Sequence, residues 1–176
     1  VNDSAVPEGV AEVLSGEAVT VYRTLCNSLI HACAYAGIHI NVATPDNNNY
    51  APNAHIIRQA REMDGSVRLY VSPQDAVKGV DVVVTDTWVS MGDPEDQKAA
   101  RKSDFMPYQV NQELMHLADK DAIFMHCLPA YRGYEVTSDV IDDELRSVVY
   151  DEAENRMWTQ NALMVHLLKK QGAIEL

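Results

Sequence analysis

The chain has 176 residues, enough for one domain with a core of its own. It carries 14 Lys plus Arg against 26 Asp plus Glu, a formal net charge of −12. That balance argues against nucleic acid or an anionic membrane as the main partner, because both call for a basic surface.

Residues 1–20 carry little pattern and stay unassigned, with one short helix over 6–14, ended by Gly16, compatible with their residues. A strand is expected over 18–21, then a helix of small and apolar residues over 28–36 closed by Gly37. Residues 38–43 read as a strand stopped by Thr44-Pro45, followed by the polar loop Asp46-Asn47-Asn48-Asn49. Pro52 suits the entry to a helix over 53–63, and 67–71 is the next strand. Ser72-Pro73-Gln74-Asp75 has the hydroxyl, proline and downstream acid of a capped helix start.

The run Val80-Asp81-Val82-Val83-Val84-Thr85 is apolar and β-branched, as in a parallel strand buried on both faces. A charged helix follows over 94–101, then a helix over 112–118 capped by Asn111, and an apolar strand over 122–126 that stops at Cys127-Leu128-Pro129. The remainder reads as a short helix over 137–144, a last strand over 147–150 and a long helix over 154–170. Acids at the start of that helix and Lys169-Lys170 at its end agree with the helix dipole. Strands alternating with helices predict an α/β fold, a doubly wound, mostly parallel sheet with helices on both faces. No apolar run is long enough for a membrane span, and no signal peptide, internal repeat or low-complexity tract is visible.

In such sheets ligands bind beyond the carboxyl ends of the strands. Asp86 with Ser90-Met91-Gly92, then 126–129, then Glu154-Asn155-Arg156 at the expected start of the last helix would share that edge. A carboxylate suits a cationic amine, while a loop hydroxyl and backbone suit a carboxylate, so Asp86 and Ser90 together suit an amino acid. The bland alternative is a helix-capping turn, since Asp93-Pro94-Glu95-Asp96 also looks like a helix start. Arg156 would be unfavourable beside a positive helix end unless an anion lies near. The alternatives are phosphate or carboxylate binding through its fork, or a salt bridge to Glu152 or Glu154. Cys127 follows His126, but neighbours on a strand face opposite ways, which disfavours a direct thiol–imidazole pair. A cysteine facing a ligand and a buried, inert cysteine both stay open. Three cysteines without C-x-x-C spacing favour a reducing compartment over disulfides or a zinc knuckle. His31, His39, His55, His116 and His166 show no metal-ligand spacing.

The runs Asp86-Thr87-Trp88-Val89-Ser90-Met91-Gly92, His126-Cys127-Leu128-Pro129-Ala130 with Arg132-Gly133, and Glu152-Ala153-Glu154-Asn155-Arg156 occur in this order, with Met106-Pro107-Tyr108-Gln109-Val110-Asn111 between them. In them the sequence resembles ornithine carbamoyltransferase, specifically its carboxyl-terminal, amino-acid-binding domain, over residues 28–169. The resemblance implies a Rossmann-like second domain over 21–176, without the carbamoyl-phosphate domain. It implies transfer of a carbamoyl group from carbamoyl phosphate to the side-chain amine of L-ornithine, giving citrulline and phosphate, with no cofactor and no metal. By resemblance Asp86 holds the ornithine amino groups, and Ser90 and Met91 sit on a loop closing over the amino acid. Cys127 contacts ornithine and positions its reacting amine. The backbone carbonyls of Cys127 and Leu128 bind the carbamoyl amide, Pro129 shapes that turn, and Arg156 binds carbamoyl phosphate.

Two departures from the family pattern stand out. The Ser-Thr-Arg-Thr phosphate loop and the His/Gln pair of the family's amino-terminal half do not occur in these 176 residues, so this stretch by itself is not expected to catalyse the reaction. Where the family has a Gly-Asp loop and paired asparagines before Ser28, this sequence has Thr20-Val21-Tyr22-Arg23-Thr24-Leu25-Cys26-Asn27. Thr24 or Asn27 are then the candidates to replace the lost amide, and Arg23 to pair with a carboxylate. Putrescine is an alternative acceptor. The implied partners are a carbamoyl-phosphate domain or homotrimer mates. The competing expectation is a non-catalytic, carbamoyltransferase-derived subunit of a larger assembly. Arg156-Met157-Trp158-Thr159 resembles animal mitochondrial members, which points to the mitochondrial matrix, with the cytoplasm as the alternative.

Overall fold

The computed structural model describes residues 10–13, 22–47, 49–63, 66–89 and 94–173. Five parallel strands form one sheet in the order β3-β2-β1-β4-β5: β1 is Val10–Val13, β2 Ile40–Ala43, β3 Val67–Tyr70, β4 Val82–Thr85 and β5 Ile123–His126. The chain winds outward from β1 to β3, then crosses back to β4 beside β1 and continues to β5. The doubly wound α/β expectation is met, with the switch point between β1 and β4.

The helices fall where their caps allow. α1 spans Tyr22–Tyr35 and ends at Gly37, whose φ of 70° is the left-handed stop that glycine adopts freely. α2, Ala54–Arg61, is capped by the Asn53 side chain, which accepts the His55 N–H. The short α3, Pro73–Ala76, is capped by Ser72 accepting from Asp75 N–H, with proline in its first turn. α4 is Glu95–Phe105, α5 is Gln112–Met115 with Asn111 as its cap, and α6 is Ser138–Ile141. The last helix, α7, runs over Val149–Lys170.

Two expectations change. Residues 10–13, compatible as sequence with a short helix, are a strand paired on both sides, so the unassigned segment supplies the middle of the sheet. Two neighbouring ladders outweigh the weak propensity of a single helical turn. The strand expected over 147–150 reduces to an isolated bridge between Ser147 and Phe124, and Val149 already opens α7. Its Val-Val-Tyr run looks extended, but Asp151 and Glu152 in the first turn favour a helix start there. The strand expected over 18–21 lies outside the described residues.

Two hydrophobic clusters fill the domain. One joins Ile30, Ile40, Val42, Ile57 and Val67 between α1, α2 and strands β2 and β3. The other joins Val83, Trp88, Phe105, Tyr108, Phe124, Val140 and Val149 around β4 and β5. No helix among the described residues is long and apolar enough to cross a membrane.

Candidate functional site

The register of the sheet builds the site. Thr85 pairs with His126, so the residues that follow each strand, Asp86 and Cys127, emerge side by side at the carboxyl edge. The Cys127 thiol donates to Asp86 Oδ1 at 3.1 Å, and the same oxygen accepts the Thr87 N–H at 2.7 Å. Asp86 is buried and Cys127 half-buried. Burial, reinforced by the Asp86 and Glu152 charges, pushes the thiol up to about 12. Cys127 is therefore a neutral hydrogen-bond donor at neutral pH rather than a thiolate nucleophile.

The turn after β5 is tied from within. Leu128 has a φ of 53°, in the left-handed region that a branched side chain seldom occupies, and its bond to Pro129 is cis. The Leu128 N–H donates to His126 Nδ1 at 2.9 Å, which leaves the ring hydrogen on Nε2, facing Glu135 Oε1 at 3.3 Å. Glu135 Oε1 also accepts the Tyr131 N–H at 2.5 Å. The Thr87 hydroxyl donates to the Pro129 carbonyl at 2.8 Å and so joins the two strand ends. His126 thus turns away from Cys127, as strand alternation requires.

The two strand ends and the first turns of α7 enclose an open cleft of ≈ 1170 Å³, lined among others by Leu25, Asp86, Cys127, Leu128, Glu152 and Arg156. Glu152 Oε2 accepts the His126 N–H at 2.9 Å. Burial raises the Glu152 carboxyl, the His126 N–H opposes that shift and the Asp86 charge adds to it. Two acidic side chains beside a thiol donor favour a cationic ligand group on this wall. No group of three or more His, Cys, Asp or Glu suited to a metal ion occurs among the described residues.

The expected site residues are brought together only in part. Asp86, Cys127, Leu128 and Arg156 share the cleft. Arg156, however, is not at a helix start: α7 begins at Val149, so the arginine stands about two turns in, beyond the reach of the dipole. No positive helix end therefore acts on Arg156. The salt-bridge alternative fails as well, since Glu152 turns to the His126 N–H and Glu154 accepts from Trp158 Nε1 at 3.1 Å. Among the described residues Arg156 forms no ion pair, and its guanidinium is exposed at the cleft. Ser90, Met91 and Gly92 lie outside the described residues. Thr24 and Arg23 fall in the first turn of α1 with side chains outside the description, and the Asn27 side chain instead accepts the Asn53 N–H at 3.2 Å.

Sequence reasoning missed Glu135 as a buried partner of His126, and Glu152 as a wall of the cleft. Glu152 stands within the Glu152-Ala153-Glu154-Asn155-Arg156 motif, but nothing in its local sequence marks it as a cleft residue. For Glu135 the signal was an acid set between the apolar Tyr134 and Val136.

A parallel sheet with a carboxylate–thiol pair at the carboxyl ends of β4 and β5, a second carboxylate beside it and, on α7, an arginine without an ion pair among the described residues places charged groups at the edge where α/β sheets bind small ligands. The chain belongs to the aspartate/ornithine carbamoyltransferase family, whose Asp/Orn binding domain matches residues 20–167. It is 43% identical over 152 residues to ornithine carbamoyltransferase of Archaeoglobus fulgidus, covering 86% of this chain and 48% of the relative. It is 50% identical over 150 residues to that of Clavibacter michiganensis, covering 83% and 48%. Among solved structures it matches ornithine carbamoyltransferase from Pyrococcus furiosus with a TM-score of 0.77 and 42% identity, over 90% of this chain and 49% of the other. The match to the anabolic enzyme of Campylobacter jejuni has a TM-score of 0.78 and 34% identity, over 92% and 51%. The chain spans about half the length of the curated relatives it matches.

Proposed function

We propose that this domain binds L-ornithine in the cleft between Asp86, Cys127 and α7, and presents its side-chain amine to carbamoyl phosphate. The observation that carries the reading is the Cys127–Asp86 hydrogen bond of 3.1 Å in a cleft that Glu152 and Arg156 also line. Asp86 and Glu152 give an ammonium group its countercharge. Ser90 and Met91 are assigned to the same ligand on the strength of the family motif. Arg156 supplies a fork for a phosphate, and the Cys127 and Leu128 carbonyls accept from a carbamoyl NH₂.

In the reaction the ammonium first gives up one proton. The amine lone pair then attacks the carbamoyl carbon, a C–N bond forms and the C–O bond to phosphate breaks. The second nitrogen proton leaves with hydrogen phosphate, and citrulline remains. The domain contributes positioning of the amine and countercharge for the leaving group. Cys127, held as a thiol, orients and does not attack. The phosphate cradle is assigned to a carbamoyl-phosphate portion corresponding to the rest of the relatives' length, whether on the same polypeptide or on another.

Calorimetric titration of L-ornithine and L-norvaline, which lacks the side-chain amine, tests this reading. Binding that requires the amine supports it, and equal affinity for both overturns it. A second reading, a carbamoyltransferase-derived subunit inside a larger assembly, is favoured by α7, where Trp158 is 54% and Leu163 57% exposed. Native mass spectrometry of the protein from its own source separates the two. Recovery with a carbamoyl-phosphate-binding portion supports the enzyme, and recovery among unrelated subunits supports the assembly.

A further inference from the structure

The turn 127–131 holds an unfavourable backbone at Leu128, and such conformations persist where their surroundings over-determine them. Here both N–H groups that pin the turn lead to one buried carboxylate. Tyr131 N–H reaches Glu135 Oε1 directly, and Leu128 N–H reaches it through the His126 ring. His126 and Glu135 are both fully buried. The other carboxylate oxygen, Oε2, is buried with no hydrogen-bond partner among the described residues. A buried carboxylate with an idle oxygen is a costly way to fill space, which an apolar side chain of similar size would do better. Its two working bonds are what this residue adds.

We propose that Glu135 is a positioning residue of the cleft. Acting through His126 on one side and the Tyr131 amide on the other, it fixes the turn that carries Cys127, Leu128 and Pro129 into the ligand space. It touches no ligand itself. The clamp stands on the hydrogen bonds alone, and only its effect on ornithine rests on the function proposed above.

Amide hydrogen exchange and ¹⁵N imidazole spectra of the whole chain test the clamp, with L-ornithine titration beside them. In Glu135→Ala the Leu128 and Tyr131 amides are expected to exchange at least about tenfold faster, with Ile30 and Val42 unchanged, and ornithine to bind about tenfold more weakly. The wild-type His126 ring should show its hydrogen on Nε2, and that signature should be lost in Glu135→Ala. Glu135→Gln keeps an oxygen for the Tyr131 N–H and should restore protection there.

Unchanged exchange at Leu128 and Tyr131 in Glu135→Ala overturns the clamp. So does a uniform rise at all amides, which is what a mere space-filler would give. Loosened amides with unchanged ornithine affinity overturn the positioning role. Should wild type bind no ornithine while the local exchange pattern appears, the proposed function fails and the clamp stands. If Glu135→Ala does not fold, Glu135→Gln decides: a shift of the His126 Nε2 signal with about two- to threefold faster Leu128 exchange is expected, and no change in either overturns the proposal.

Discussion

The two hydrophobic clusters differ in what they tolerate. Around α1, α2, β2 and β3 the buried side chains are Ile, Val, Ala and Cys. Around β4 and β5 the cluster is aromatic, with Trp88, Phe105 and Tyr108 packed ring against ring. The buried polar side chains Thr85, Asp86, Thr87, Arg101, His126 and Glu135 all lie in this second half. Burying such groups is unfavourable unless each finds a partner, and most do: Arg101 reaches the Trp88 carbonyl, Thr87 the Pro129 carbonyl, His126 and Glu135 one another. One half is plain scaffold. The other gathers its buried polar side chains at and behind the carboxyl ends of β4 and β5, and large rings nearby supply the apolar burial that offsets them.

The comparison predicts that damage to the β5 half reaches the ligand, whereas damage to the scaffold half costs stability only. The largest effect is expected from Phe124→Ala, a fully buried ring on β5. It should cost about 3–5 kcal/mol in urea unfolding and weaken ornithine binding as well, because the strand that ends in Cys127 loses its support. Intact ornithine affinity in a folded Phe124→Ala chain would break the comparison.

Cys127 gives the next largest effect. With its thiol pushed up to about 12 against an ordinary 9.0, alkylation near pH 8 should run on the order of 100- to 1000-fold slower than for a free thiol. Its stability contribution has a definite sign. Between pH 9 and about 12 the unfolded chain releases a proton that the folded chain keeps, so this term is fully present below pH 9 and lost as pH rises through that window. Rate against pH, read by mass spectrometry, locates the inflection, and ordinary alkylation kinetics would contradict the burial of this thiol beside Asp86. Asp86→Asn should then accelerate alkylation by removing one raising charge, and should weaken ornithine by roughly 10- to 100-fold in calorimetry, the worth of a hydrogen bond to a charged group.

The elements of both halves were legible because their ends are written locally, in the Asn53 and Ser72 caps, the apolar run into Asp86 and the stop at Gly37. The placement of the candidate site was legible as far as strand ends go, since Asp86 and Cys127 each follow a β-branched or apolar run and emerge at the carboxyl edge of the sheet. What stayed hidden depends on pairing across the sheet or on how far a helix propagates. The Glu135–His126 contact spans nine residues through a turn with no periodic signal. Residues 10–13 are a strand only because β2 and β4 flank them. The Val148-Val149-Tyr150 run looks extended and so puts Arg156 at a helix start, whereas the acids that follow draw the helix back to Val149.

The smallest predicted effect isolates the scaffold half most cleanly. Gly37 joins α1 to β2 with a φ of 70°, and a Cβ built there would meet nothing within 4 Å. Gly37→Ala therefore adds no clash, and its cost is backbone alone, about 1 kcal/mol for a side chain held in the left-handed region. The connection lies in the aliphatic half, away from the ends of β4 and β5, so ornithine affinity should not move. A lower urea midpoint with an unchanged dissociation constant is the expected pair of readings. A weakened dissociation constant would mean that α1 transmits strain to the cleft through Leu25, which lines it, and that the two halves are coupled after all.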